Sequence, residues 1–245
     1  MKGVILAGGT GSRLMPLTRV TNKHLLPVGR KPMILHGVDK LTQAGLKEIM
    51  VVTGTEHMDA IVSLLGSGRE FGCEFTYRVQ DEAGGIAQAL GLCRGFVGSD
   101  MACVLLGDNI FTAPLAPFIR DFEKIGGGAM VVLRRVPDAH RFGVAELSID
   151  GARIVRIEEK PKAPKSNLAV IGLYFYDAIV FEIIRGLKPS ARNELEISGV
   201  NNEYLRRGQL HWQELPGNWS DAGTFTSLHR ANEMLTRPDD RESLA

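Results

Sequence analysis

The 245-residue sequence predicts an α/β fold in which a mixed, mainly parallel sheet with helices on both faces passes into a more antiparallel second half. Three observations carry this. Short apolar runs alternate with helical patterns as far as about residue 125; beyond the three glycines at 126–128, strand-like runs follow one another without long helices between them; and a glycine-rich turn, LAGGTGSRL at 6–14, comes directly after the first apolar run.

Taken in order, the runs at 4–7, 49–53, 75–79 and 101–106 read as buried strands, being short, apolar and rich in β-branched residues. Between them, 32–44, 58–65, 86–94 and 115–124 read as helices. The second half offers strands at 129–135, 144–149, 154–158 and 170–176, helices at 178–185 and 196–207, a strand at 209–214 and a closing helix at 224–235. The last ten residues, TRPDDRESLA, are polar and are expected to fray. No repeat, low-complexity tract or linker divides the chain. It is expected to form a single domain, 1–245, with halves of about 1–125 and 126–235.

The glycine-rich turn has the composition of a phosphate cradle. Glycines let successive backbone N–H groups converge closely on phosphate oxygens, and Arg13 adds charge-assisted donors. Leu6, Ala7, Gly8, Gly9, Thr10, Gly11, Ser12 and Arg13 are therefore candidate nucleotide-binding residues. The dinucleotide pattern GxGxxG fails because its third glycine would be Leu14, and the P-loop pattern fails because Ser12 and Arg13 follow Gly11. A ligand-free tight turn stays open on this segment alone.

The 29 basic and 28 acidic residues leave a net charge of +1, which gives no global field for a nucleic acid polymer or an anionic membrane. Three cysteines without CxxC spacing suggest neither a disulfide framework nor a zinc site and fit a reduced cytoplasm. No apolar stretch approaches the roughly 20 residues of a membrane span, and the short N-terminal run has no signal-peptide layout, so a cytoplasmic protein is expected.

Seven segments then occur in one order: LAGGTGSRL, NKHLLPVGRKPM at 22–33, LGDNIF at 106–111, FGV at 142–144, EEKP at 158–161, KPSARNELEI at 188–197 and WSDAGT at 219–224. Together they resemble the sugar nucleotidyltransferases, and among these the glucose-1-phosphate thymidylyltransferases, over nearly the whole chain. The resemblance implies a Rossmann-like three-layer fold, with nucleotide bound by the half at about 1–125 and sugar phosphate by the half at about 126–235, and the conversion of dTTP and glucose 1-phosphate into dTDP-glucose and pyrophosphate. It also implies Mg²⁺ as cofactor.

Chemistry and resemblance together assign the parts. The acceptor is already a phosphate monoester with a second pKa of about 6, so no side-chain nucleophile is needed, and no GxSxG or HExxH motif is present. Cancelling charge is the main demand, because two anions must meet and pyrophosphate must leave. Asp108, after an apolar strand, and Asp221, on a loop before the last helix, are implied as the metal carboxylates, in keeping with the few carboxylates Mg²⁺ needs. Arg13 and Lys23 are implied as cations for the triphosphate and Lys160 as the holder of the sugar phosphate, so that Arg13, Lys23, Lys160 and Asp108 form the catalytic set. Gln80 is expected to pair with the pyrimidine imide, with Gly85 letting the backbone approach the ring. Glu159, Gly143, Val170 and Asn109 are implied around the sugar, while Arg192 and Glu194 are read equally as pocket-shaping or structural.

Two departures stand out. His24 takes a position where many relatives have glutamine, which puts the strength and pH dependence of that contact in question. The chain also ends near residue 245, where the longer relatives continue through a helical segment with oligomer contacts and a regulatory nucleotide site. Feedback by that route is expected to be absent or altered, and any self-association to differ from theirs. Uridylyl or cytidylyl transfer to a hexose 1-phosphate stays open, as does a non-catalytic nucleotide-sugar binding protein; the latter would be expected to lack one of the five charged residues.

Overall fold

The structure is a computed structural model and describes residues 1–235; the expectation of a frayed 236–245 lies outside the described residues. The chain runs β1 (Lys2–Ala7), the ribbon β2 (Pro27–Val28) and β3 (Lys31–Pro32), α1 (Met33–Gln43), β4 (Glu48–Gly54), α2 (Met58–Leu65), β5 (Glu74–Gln80), α3 (Ile86–Gly91), α4 (Arg94–Val97), β6 (Ala102–Leu106), β7 (Asn109–Phe111) and α5 (Ala116–Ile125). It continues with β8 (Ala129–Arg135), β9 (Gly143–Leu147), β10 (Ile154–Glu159), β11 (Leu168–Tyr176), α6 (Val180–Gly186), α7 (Ile197–Arg206), β12 (Leu210–Glu214), β13 (Trp219–Asp221) and α8 (Phe225–Leu235).

Nine strands form one sheet in the order β10-β9-β11-β6-β1-β4-β5, with β8 on β11 and β12 beyond β8. The β6-β1-β4-β5 block is parallel, as expected of strands joined by helical crossovers. Alternation along each strand makes three layers. Val4, Leu6, Val52 and Val104 point into the core beneath α3, α6 and α7, while Ile5, Ala7, Val51 and Leu105 point into the core with α1, α2 and α5. The two sequence halves share this sheet, since β6 of the first pairs with β11 of the second.

The strand β11 makes the opening that the site uses. Its first part pairs with β9 through Ala169 and Val170; its last part pairs with β6 through Leu173 to Tyr176. Between these, β9 and β6 part company, and the register against β8 is irregular between Val170 and Tyr174. Asn109 reaches into the fork and accepts the Gly172 N–H at 3.0 Å through Oδ1. A Cβ on Gly172 would lie 2.5 Å from the Asn109 amide, so the insertion requires glycine there.

Two expectations are corrected. The helix read at 86–94 is broken into α3 and α4: the Cys93 N–H turns back to the Leu90 carbonyl at 2.9 Å, tightening the turn beside Gly91, whose missing side chain lets Ile184 pack close. Asp221, expected on a loop, ends the strand β13, which pairs antiparallel with β7 and sets Asp221 opposite Asn109.

Candidate active site

A cavity of about 370 Å³ opens where the carboxyl ends of β1, β5 and β6 meet the fork in β11. At one end lie Leu6, Gly8, Gly9, Arg13, Lys23, Gln80, Gly85 and Asp108; at the other lie Asn109, Gly143, Glu159, Lys160 and Val170, with Asp221 also in the wall. Thr10 borders an adjoining hollow that shares Gly9, Lys23 and Gln80 with the cavity. Ala7 is turned into the core, and Gly11 and Ser12 line neither space.

The glycine loop is shaped by its own backbone. Gly9 and Gly11 adopt φ of +96° and +62°, a region that favours glycine. Gly11 also sits so close to Thr18 that a Cβ would fall 2.8 Å from its methyl group, and its carbonyl accepts the Thr18 hydroxyl at 2.9 Å. Arg13 then belongs to a single 3₁₀ turn, Ser12–Leu14, anchored by fully buried Leu14.

Asp108 and Asp221 converge from separate elements. A Cβ on Gly223 would stand 3.5 Å from Asp108 Oδ2, 3.3 Å from Asp221 Oδ2 and 3.3 Å from Arg13 Nη2. Hard carboxylate oxygens thus face one small space kept open by a glycine, which suits Mg²⁺. No group of three or more His, Cys, Asp or Glu able to hold a metal occurs among the described residues, so phosphate and water oxygens would have to complete its shell.

Both carboxylates carry basic partners. Lys23 Nζ donates to Asp108 Oδ2 at 2.6 Å, and Asn109 Nδ2 donates to Asp108 Oδ1 at 3.0 Å. Burial alone would push the Asp108 carboxyl up; Lys23 overrides it and holds the group well below the usual carboxylate range. Asp221 Oδ2 accepts from Arg141 Nη2 at 2.8 Å and from the Ser227 hydroxyl at 3.3 Å.

Asn109 spends its amide on construction. Besides Gly172 and Asp108 it takes the Trp219 indole N–H at 2.8 Å, tying β7, β11 and β13 together beneath the carboxylates. His24 is buried, and both its backbone N–H and its Nδ1 lie within 3 Å of Asn22 Oδ1. The backbone group can only donate, so that atom is oxygen, Nδ1 carries the ring proton, and Nε2 is left as an acceptor. Burial, with Lys23 adding to it, lowers the His24 pKa to about 3, so the ring is neutral near pH 7.

Gln80 ends β5, and its Nε2 donates to Gln88 Oε1 at 2.6 Å and to the Gly85 carbonyl at 3.2 Å. A Cβ on Gly8 would press against Gln80 Oε1 at 2.7 Å. Gly85 has φ +98° and lies against the Leu195 carbonyl, which alone demands a glycine.

At the far end Glu159 closes β10 opposite Gly143. Lys160 follows with φ +44°, its N–H donating to the Phe142 carbonyl at 3.0 Å and its Nζ 3.6 Å from Glu159 Oε1. Glu158 pairs with Arg156 away from the cavity. Arg192 spans Glu196 at 2.7 Å and Glu159 at 3.3 Å, strapping the loop before α7 across this end, and Glu194 joins the wall.

The sequence reading missed Arg141, Tyr174 and Trp219 as site residues. Arg141 directly precedes the FGV segment and Trp219 opens WSDAGT, which were the available signals; Tyr174 is hidden in an unbroken apolar run.

With this geometry in place, the class is defined. Residues 2–237 match the nucleotidyl transferase family model, and the chain belongs to that family. Within it, the chain is similar to the glucose-1-phosphate thymidylyltransferases of Mycolicibacterium smegmatis (44% identity, covering 100% of this chain and 85% of that protein) and Neisseria meningitidis (46%, covering 96% and 82%). Among solved structures it is similar to a Bacillus anthracis chain assigned as a glucose-1-phosphate thymidylyltransferase and determined with sucrose, at TM-score 0.92 and 60% identity over 96% of this chain and 94% of that one. A UDP-glucose pyrophosphorylase bound to UDP-glucose superposes at TM-score 0.84 with 26% identity, covering 95% and 97%.

Proposed function

We propose that the protein transfers a thymidylyl group from dTTP to glucose 1-phosphate, giving dTDP-glucose and pyrophosphate. The observation that carries this reading is the meeting, in one cavity, of a glycine loop with Arg13, Lys23, Asp108 and Asp221 at one end and Gly143, Glu159, Lys160 and Val170 at the other. The names of the relatives supply the base and the sugar.

In this reading the loop N–H groups and Arg13 bind the triphosphate, and Arg13 neutralises charge on pyrophosphate as it leaves. Lys23, held against Asp108, adds a second cation for the phosphates. Lys160 orients the sugar 1-phosphate so that an oxygen, already ionised at neutral pH, attacks the α-phosphorus in line. Glu159 accepts from sugar hydroxyls. Gln80 faces the imide edge of the base, Oε1 accepting from the ring N–H while Nε2 stays bonded to Gln88 and Gly85. Asp108 and Asp221 would hold Mg²⁺, which when bound withdraws charge from the phosphates. A cytoplasmic location accords with the nucleotide substrate, and Cys93 and Cys103 are free and buried; no helix among the described residues is long and apolar enough to cross a membrane.

The test is pyrophosphate release across a matrix of dTTP, dUTP, UTP and CTP against glucose, galactose and mannose 1-phosphates with Mg²⁺. The expected maximum is dTTP with glucose 1-phosphate, and no release without a sugar phosphate. A maximum with UTP or CTP would replace the thymidylyl assignment; silence throughout would remove the transferase reading.

A further inference from the structure

Asp221 stands on a light mount. Its strand is three residues long and forms a two-stranded ribbon with the equally short β7, and from the following helix its Oδ2 takes a single long hydrogen bond, from Ser227 at 3.3 Å. A carboxylate so placed needs a brace from elsewhere if its oxygens are to stay fixed against Asp108.

Arg141 is built as that brace. It belongs to the 3₁₀ turn Ala139–Arg141 that joins β8 to β9, far from β13 in sequence. One arm of its guanidinium donates to Asp138 Oδ2 at 2.7 Å and the other to Asp221 Oδ2 at 2.8 Å. Its third constraint is the Phe142 ring, whose centroid lies 5.0 Å from the guanidinium carbon. Phe142 in turn meets Trp219 edge to face at 5.5 Å, and Trp219 is pinned to Asn109. The planar fork is therefore fixed at both ends and on one face, which a lysine ammonium cannot reproduce.

Asp221 Oδ2 already accepts from Arg141 and from Ser227, and with about four lone-pair sites on a carboxylate the group keeps capacity for a cation. We infer that Arg141, anchored by Asp138, is a positioning residue that orients the Asp221 carboxylate for the divalent cation. The inference rests on the metal reading given above and adds to it a residue that acts through Asp221.

The test uses Mn²⁺ as the probe, titrated into the full chain with dTDP-glucose and no pyrophosphate, so that nothing turns over; the free-ion resonance signal reports binding. Arg141→Ala is expected to weaken Mn²⁺ binding by about 10- to 100-fold. Arg141→Lys should recover only part of this, and Asp138→Asn, which leaves the arginine in place, should show a smaller loss in the same direction. In turnover assays the Arg141→Ala deficit should shrink as Mg²⁺ is raised, which a general loss of structure would not permit. Unchanged or tighter Mn²⁺ binding in both Arg141→Ala and Asp138→Asn, or a deficit that no Mg²⁺ concentration relieves, would overturn the inference and leave the transferase reading standing. A wild-type chain that binds no Mn²⁺ would overturn the metal assignment with it.

Discussion

At the glycine-loop end of the cavity Lys23, Asp108 and Asp221 are paired and mostly covered, at 14%, 15% and 11% exposure, while Arg13 is exposed. At the sugar end Lys160 is 47% exposed and Arg192 39%, each leaning on Glu159 from more than 3 Å. At the first end Lys23, Asp108 and Asp221 are held in place by the fold; the second is a strap over an open mouth. The carboxylates proposed for the cation and their lysine are thus organised before substrate arrives, and the exposed Arg13 and the groups proposed to meet the sugar are left free to adjust. Preorganisation matters most where charge develops, which is at the phosphates.

This contrast can be broken by substitution, and the largest effects should fall at the buried end. Asp108→Asn and Asp221→Asn should each lower kcat by at least about 100-fold with the fold intact; near-normal turnover in either would remove that residue from the cation site. Lys23→Met leaves the Asp108 carboxylate buried without its partner and should cost about 2 to 3 kcal/mol of stability at pH 7, reduced from the fully buried case for partial exposure. Urea unfolding would show it, and a loss below about 0.5 kcal/mol would mean that the pair is merely superficial.

His24 gives the next effect, through pH. Its folded pKa of about 3 lies below the ordinary value of 6.5, so between these the unfolded chain takes up a proton that the native state refuses. Stability from this group therefore falls as pH drops below about 6.5, by about 2 kcal/mol at pH 5. His24→Gln should be less acid-sensitive by that amount in denaturation at pH 7 and pH 5, and the pH profile of turnover near neutrality should not move with it. The smallest effect on stability belongs to Arg192→Ala, below about 1 kcal/mol because its pairs are exposed; the KM for sugar phosphate should rise several-fold while the KM for dTTP holds. Equal changes in both would deny that the two ends act separately.

Most strands of the central sheet were legible because they are short apolar or alternating runs with their own flanking turns. The ribbons of β2 with β3 and β7 with β13 were not, since two or three residues carry no period and their pairing is decided by distant partners. Within the site, Asp108 announced itself by ending an apolar strand. Arg141 did not: its contact lies 80 residues away, and a lone arginine after a turn reads as surface. Asn109 was read toward the sugar, but its role in joining three strands emerges only once the fork in β11 is seen.

Direct attack by the sugar phosphate, with no side chain taking the nucleotidyl group, is the central step of the proposed reaction. Exchange of labelled pyrophosphate into dTTP tests this most directly. With Mg²⁺ and dTTP alone the protein should catalyse no exchange, and exchange should begin only when glucose 1-phosphate is added; label entering dTTP in the absence of any sugar phosphate would contradict it.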